Sequence, residues 1–127
     1  MNAYAAMKQY QTVNVNAQIS EADPHRLIQM LMEGGLQRVA QARGAMQHGN
    51  VALKGEQIGK AIAIIGGLRE SLDHKQGGEV AGNLDRLYAF MQQRLSQANL
   101  RNEVALLDEV TELLREVKSG WDGIRQS

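Results

Sequence analysis

Apolar residues recur at steps of three and four along most of the chain after residue 22. This spacing is typical of helices that bury one face. Asp23 followed by Pro24 indicates a helix start, because Asp caps free backbone N–H groups and Pro fits the first helical turn. The pattern predicts four helices, over residues 24–48, 50–73, 79–98 and 102–125.

Glycine and asparagine mark the predicted helix ends. Gly49 is expected to end the first helix, residues 74–78 (HKQGG) to form the main loop, and Asn99 to end the third helix in a left-handed conformation. Helices of about 20–25 residues are roughly 30–37 Å long, and short connections join them. Matched lengths of this kind favour an all-α fold, an antiparallel up-down-up-down four-helix bundle.

Residues 1–22 differ from the rest of the chain. They carry only two charges, Lys8 and Glu21, and have no sustained helical period. Residues 13–16 alternate like a short strand, but no partner strand is predicted nearby. We therefore predict an N-terminal arm over residues 1–22, with one short helix packed against a bundle of residues 23–127. A disordered tail is the alternative that the pattern leaves open.

The apolar faces of the predicted helices differ in width. The fourth helix has an apolar arc of about 120°, the second and third about 160°, and the first about 240°. Because a small bundle does not bury so wide a face around one axis, another surface should cover the surplus. The arm, a second copy of the chain or a helix of another protein would each serve. The alternative is that the arm and an asymmetric bundle together bury all of this surplus apolar surface.

The chain combines 13 glycines and six methionines with a single proline. A glycine inside a helix costs about 1 kcal/mol relative to alanine, so this number needs a reason. Most of these glycines and four of the methionines fall in the first three helices, where apolar surface is in excess. We interpret them as part of a shallow groove, with close helix packing as the alternative.

Composition excludes several classes of protein. The 14 basic and 14 acidic residues give no net charge, which argues against binding of nucleic acid. The absence of cysteine excludes disulfides, thiolate metal sites and a cysteine nucleophile. The chain starts without the pattern of a secretory signal, and residues 61–65, its longest strongly apolar run, are too few to cross a membrane. We expect a soluble, cytoplasmic protein.

No catalytic or metal-binding pattern stands out. His25, His48 and His74 lie near helix ends or in a loop, without a second ligand at i, i+4, and no Glu-x-x-His occurs. Gly77 and Gly78 precede a helix but lack the Lys-Ser/Thr of a phosphate-binding loop. The sequence therefore predicts a protein that is not an enzyme and that uses no metal or cofactor.

Three stretches together resemble the FliS family of flagellar export chaperones. They are SEADPHRLIQMLMEG at residues 20–34, SLD with GGEVA at 71–81, and NLDRLYAFMQQRLSQAN at 83–99, the last being the most specific. Tyr10 and Trp121 also match that family's N-terminal Tyr and late Trp. Met32 and Glu33 stand where the family has Tyr-Asp, and Phe90 stands for a second Tyr. The exchanges of Tyr remove a phenol hydroxyl and keep apolar bulk.

The resemblance implies a cytoplasmic chaperone that holds the disordered C-terminal segment of flagellin. Such a protein prevents premature polymerisation and helps to deliver flagellin to the export gate. It would work as a monomer that binds one flagellin, without inserting into a membrane. The resemblance also implies that the N-terminal arm with Tyr10 lies against the bundle and moves when flagellin binds.

The surplus apolar positions are the expected flagellin contacts, with Tyr10 as a mobile plug. A self-associating structural or regulatory bundle that uses the same surface, without a client, is the alternative. The expected contact residues are Tyr10, Ile28, Met32, Leu36, Val39, Ile64, Leu68, Tyr88, Phe90 and Met91.

Overall fold

The computed structural model describes residues 23–124, and these form four helices connected by short turns. The first and third helices each pack against the second and the fourth, so the four helices form a closed ring around one core. The predicted all-α four-helix bundle is confirmed. The predicted arm, with Tyr10, lies outside the described residues. The helices are α1 (Pro24–Gln47), α2 (Val51–Glu70), α3 (His74–Arg101) and α4 (Val104–Asp122).

Polar side chains cap the first two helices. The Asp23 carboxylate accepts a hydrogen bond from the backbone N–H of Arg26 at 2.8 Å, and Pro24 occupies the first turn, which confirms the predicted start of α1. The Asn50 side chain accepts from the backbone N–H of Leu53 at 3.1 Å and caps α2. Gly49, between the two helices, has a φ of 72°, a left-handed value that favours glycine.

The prediction of a loop over residues 74–78 is wrong. The Asp73 carboxylate accepts hydrogen bonds from the backbone N–H groups of Lys75 and Gln76, and this cap starts α3 at His74. The helix is interrupted at Gly78, which has a φ of 51° and a ψ of −122°. Glycine adopts this conformation at little cost, so the first turn of α3 departs from the axis of the remainder.

The predicted end of the third helix at Asn99 is also wrong. The helix continues to Arg101, and Asn102 takes the left-handed conformation, with a φ of 56° and a ψ of 45°. The buried side chain of Lys54 explains this longer helix, because its Nζ donates to the Asn99 carbonyl and to Asn102 Oδ1, each at 3.1 Å. These two bonds satisfy acceptors at the end of α3.

All four helices contribute to the core. At Gly35 an added Cβ would lie 3.1 Å from Leu114 Cδ2, so this glycine permits close approach of α1 and α4. An added Cβ at Gly55 or Gly59 would contact nothing within 4 Å, which shows that these glycines serve no packing contact. The largest fully buried side chains are Leu31, Met32, Val39, Ile58, Ile65, Leu68, Met91, Leu95, Leu107, Val110 and Leu114.

Candidate binding groove

An apolar groove opens at one end of the bundle, where α1 and α3 begin and α2 and α4 end. Its volume is about 580 Å³. Antiparallel topology brings these four helix ends together, although they are distant in sequence. The groove is lined by Ile28, Met32, Ser71, Leu72, Asp73, Gly77, Val80, Ala81, Leu84, Tyr88, Glu116, Val117, Gly120, Trp121 and Ile124.

The lining is almost entirely apolar. Of the residues between 23 and 124 that line it, Ser71, Asp73 and Glu116 are polar, Tyr88 and Trp121 add a phenol hydroxyl and an indole N–H, and none is Lys, Arg or His. Two large apolar side chains at the groove remain open to solvent, Val80 with 67% and Ile124 with 52% of its surface exposed. Contiguous apolar surface of this kind is typical of a site where another molecule binds.

Trp121 forms part of one side of the groove and is held there by His25. The two rings stack with their centroids 4.9 Å apart and their planes 13° from parallel. His25 Nε2 donates a hydrogen bond to the Trp121 carbonyl at 2.8 Å, and Trp121 Nε1 donates to the His25 carbonyl at 3.0 Å. These contacts join the first turn of α1 to the last turn of α4 and fix the orientation of the indole.

Asp122 adds a second connection between the same helix ends. Lys118 Nζ and Gln29 Nε2 each donate a hydrogen bond to its carboxylate at 2.7 Å. The hydrogen bond from Lys118 is the main reason that the pKa of Asp122 lies below its usual value. The carboxylate therefore stays ionised at neutral pH and helps to hold α4 against α1.

Tyr88 contributes the most deeply buried polar group of the groove. Only 2% of its surface is exposed, and burial raises the pKa of its phenol to about 12. The hydroxyl is therefore protonated at neutral pH.

Three of the predicted contact residues line the groove, Ile28, Met32 and Tyr88, and two of these, Met32 and Tyr88, also belong to the buried core, with 1% and 2% of their surface exposed. Leu36 and Phe90 are half-buried outside it, and the guanidinium of Arg94 lies over the Phe90 ring, 4.7 Å from its centroid. The remaining described members of the predicted set lie in the core, each with at most 5% of its surface exposed; they are Val39, Ile64, Leu68 and Met91.

The width of an apolar arc overstated the surface left for a partner. α1 packs against both α2 and α4, so it buries a much wider face than a helix with a single neighbour. None of the mid-helix glycines lines this groove, whose glycines are Gly77 and Gly120 at helix ends, although Gly66 of α2 lines a separate cavity.

Sequence reasoning missed the groove residues at the ends of helices. Leu72 lies just beyond α2, Val80 near the start of α3, and Ile124 just beyond α4. Each looks like an ordinary amphipathic position within its own helix. Collecting the apolar residues from the four helix ends that an up-down bundle brings together would have identified them.

A second, more polar cavity of about 450 Å³ lies between α2 and α3. There Arg69 Nε donates to the Asp85 carboxylate at 2.9 Å, and Arg69 Nη1 donates to Gln92 Oε1 at 3.1 Å. Gln92 Nε2 in turn donates to the Ile62 carbonyl at 3.1 Å. These polar groups satisfy one another, so the cavity offers an occupant few free hydrogen-bonding groups.

Residues 23–124 contain neither a metal-binding cluster nor a membrane-spanning helix. No group of three or more His, Asp or Glu side chains in that range is placed to hold a metal ion. Over the same range, none of the helices combines the length and apolar character needed to span a bilayer.

Similarity to known proteins agrees with the sequence motifs. Residues 6–127 match the family described as flagellar protein FliS. The chain belongs to the FliS family. The resemblance carried by residues 20–34, 71–81 and 83–99 is thereby confirmed.

Three FliS relatives cover nearly all of the chain. The Pseudomonas aeruginosa flagellar secretion chaperone FliSB is 65% identical over 124 residues, 98% of each chain. The Vibrio cholerae flagellar secretion chaperone FliS is 47% identical, covering 94% of this chain and 88% of its own. The one from Salmonella typhimurium is 42% identical, covering 98% of this chain and 93% of its own.

Proposed function

We propose that this FliS protein is a cytoplasmic export chaperone whose groove binds the disordered C-terminal segment of flagellin. The observation that carries the proposal is the apolar groove, with exposed Val80 and Ile124, in a chain whose relatives are named flagellar secretion chaperones. Binding alone would perform this role, without catalysis or a cofactor. Flagellin held in this way cannot polymerise prematurely and can be passed to the export gate.

The shape and chemistry of the groove suit an amphipathic segment. A volume of about 580 Å³ with an apolar lining accommodates side chains from one face of a helix. Met32 lines the groove from the core, with 1% of its surface exposed, and adds to its apolar wall. Because a disordered client loses conformational entropy when it binds, useful affinity requires contacts beyond this groove.

The expected contact residues divide into two groups under this proposal. Ile28, Met32 and Tyr88 contact the client in the groove, and Leu36 and Phe90 contact it where the segment continues around the bundle. The other described members of the expected set support the groove from the core; they are Val39, Ile64, Leu68 and Met91. Tyr10, in the N-terminal arm, acts as the plug that the client displaces.

Calorimetry with flagellin tests the proposal directly. Full-length flagellin should bind one-to-one with a strongly negative heat-capacity change, because apolar surface is buried. Flagellin lacking about 40 C-terminal residues, a length of the order needed to cover a large surface on folding, should not bind. Absence of binding at micromolar protein would refute the proposal. A stable dimer of the free chain in light scattering would favour the self-associating bundle instead.

A further inference from the structure

The charged residues between 23 and 124 that line the apolar groove are both acidic. Asp73 caps the start of α3 and Glu116 lies on α4, and both side chains are exposed. The chain as a whole has 14 basic and 14 acidic residues, so an excess of one sign belongs to this groove and not to the overall composition. The groove therefore favours an occupant of the opposite charge.

Most other carboxylates of the bundle have a cationic partner within the chain. Arg115 shows the contrast, because its Nη1 lies 3.7 Å from Glu112 Oε1 and it forms no ion pair with Glu116, the next residue along the chain. No ion pair within residues 23–124 involves Asp73 or Glu116. The acidic residues that do form ion pairs in that range are Glu33, Glu56, Asp85, Asp108, Glu109, Glu112 and Asp122.

Asp73 can accept a cation without giving up its role as a helix cap. The backbone N–H groups of Lys75 and Gln76 both donate to its Oδ1, at 3.1 Å and 3.0 Å. Its Oδ2 accepts no hydrogen bond from residues 23–124. A cation that approaches from the groove can therefore pair with Oδ2 while the cap of α3 stays intact.

The apolar walls and the two carboxylates together suit a long cationic side chain. An occupant that covers the groove displaces water from beside the carboxylates, and a charge-assisted hydrogen bond from Lys or Arg offsets that loss. The stems of Lys and Arg pack along apolar surface while the charged end reaches a polar group. A carboxylate on the occupant would instead meet two like charges.

We infer that the client segment carries a Lys or Arg beside its apolar face, and that Asp73 and Glu116 select the segment by pairing with this cation. The inference rests on the proposed function, because it names the chemistry of the segment that the groove receives. Apolar contacts hold the segment, and the cation sets which part of it enters the groove. Segments with a similar apolar pattern and an acidic residue at that place are rejected by repulsion.

The test measures binding of the C-terminal segment of flagellin to the full-length chain and to Glu116→Gln. Loss of one exposed ion pair should weaken binding about 2- to 5-fold. Asp73→Asn removes the second charge and keeps a side-chain oxygen to cap α3, so the double variant should bind more weakly again. Raising NaCl from about 50 to about 500 mM should weaken binding to the unmodified chain more than to the double variant, because salt screens charge.

A parallel series locates the cation by changing each Lys and Arg of the segment to Gln in turn. One of these changes should weaken binding to the unmodified chain and have little further effect on the double variant. With that position changed to Glu, the segment should bind Glu116→Lys more tightly than it binds the unmodified chain, because the two charges are exchanged.

Glu112→Gln is the matched control. Glu112 is exposed on the same helix, one turn before Glu116, and is not among the residues that line the groove. This control should keep the affinity of the unmodified chain. Glu116→Gln should keep the melting temperature of the free protein, since it removes no ion pair within residues 23–124.

The N-terminal arm is the other source of a cation, because residues 1–22 contain one Lys, Lys8, and no Arg. If Lys8 pairs with the groove carboxylates, Glu116→Gln should bind the segment more tightly, and Lys8→Gln should abolish this gain. That pair of results overturns the inference. Under the inference, Glu116→Gln weakens binding by the same factor with Lys8 or with Gln at that position.

The remaining outcomes each overturn a defined step. Equal binding by the double variant and the unmodified chain refutes the inference and leaves the proposed function standing. Weaker binding by the double variant without a coupled Lys or Arg in the segment also refutes it. Absence of binding by the unmodified chain refutes the proposed function itself.

Discussion

His25 and Trp121 each donate a hydrogen bond to the backbone carbonyl of the other, and their rings stack 4.9 Å apart. The pair joins residues 96 positions apart in sequence, at the first turn of α1 and the last turn of α4. Trp121 lines the groove, whereas His25 lies behind it. One side of the proposed binding surface therefore depends on a residue that does not itself line the groove.

Replacing His25 should disturb that side of the groove. His25→Ala removes the stacking partner and one reciprocal hydrogen bond, which should lower the free energy of unfolding by about 1 kcal/mol. Because Trp121 is the single tryptophan, its fluorescence reports the change directly, and the emission maximum should shift. Affinity for the flagellin segment should fall with it.

His48→Ala is the control for that variant. His48 is exposed and bonds through Nδ1 to the Gly44 carbonyl of its own helix, at the opposite end of the bundle. Its removal should leave both fluorescence and affinity unchanged. If His25→Ala behaves like His48→Ala in both measurements, the stacked pair does not shape the groove.

A charge at the opening should block the groove. Val80→Lys places a cation that needs water where the client would exclude it, so affinity should fall at least tenfold. Val51→Lys makes the same change at a similarly exposed valine at the far end of the bundle, with 71% exposed against 67%. Titration of each variant with the flagellin segment, followed by Trp121 fluorescence, should show a lower affinity for Val80→Lys alone. If Val80→Lys and Val51→Lys lowered the affinity equally, the client would bind somewhere other than the groove.

The ion pair between Arg69 and Asp85 should contribute to stability in a pH-dependent way. The hydrogen bond from Arg69 lowers the pKa of Asp85 below its ordinary value of 3.8. The folded protein then holds the carboxylate in its charged form more strongly than the unfolded chain does. This contribution is present above about pH 3.8 and is lost as the pH falls through the lowered pKa.

Urea unfolding of Asp85→Asn over a pH series measures this contribution. The variant should be less stable than the unmodified chain at neutral pH, and the difference should shrink below about pH 3.8. Arg69→Gln should show the same narrowing, because it removes the other member of the pair. A difference that does not change with pH would contradict the assignment.

Two glycines should respond in opposite directions to alanine. At Gly35 the new Cβ would press on the fully buried Leu114 at 3.1 Å, so Gly35→Ala should destabilise the protein by about 1–3 kcal/mol. At Gly59 the Cβ meets nothing within 4 Å, and Gly59→Ala should stabilise it by about 0.5–1 kcal/mol. Thermal unfolding compares the two variants. A lower stability of Gly59→Ala would show that the helix needs glycine at that position.

Helix boundaries that depend on neighbouring residues were predictable from the sequence, whereas those that depend on contacts with another helix were not. Asp23 with Pro24 carries its own start signal, so the beginning of α1 followed from the sequence. The end of α3 did not, because it depends on Lys54 from another helix. Two glycines in residues 74–78 are typical of a loop, but the hydrogen-bonded cap that Asp73 supplies starts a helix there.

The groove required knowledge of topology as well as pattern. Ile28, Met32 and Tyr88 were predicted contacts and do line it. Val39 and Met91 looked equally available on their own helices, but the neighbours of those helices bury them. The angular width of the apolar face of one helix does not show how many neighbouring helices pack against it.

Gly78 divides the residues of the groove that come from α3 and the turn before it. Leu72, Asp73 and Gly77 lie before its unusual backbone angles, and Val80 lies after them. The position of Gly77 relative to Val80 therefore depends on the two torsion angles of Gly78. Changes in these two angles would move the residues on one side of Gly78 relative to those on the other and so alter the width of the entrance.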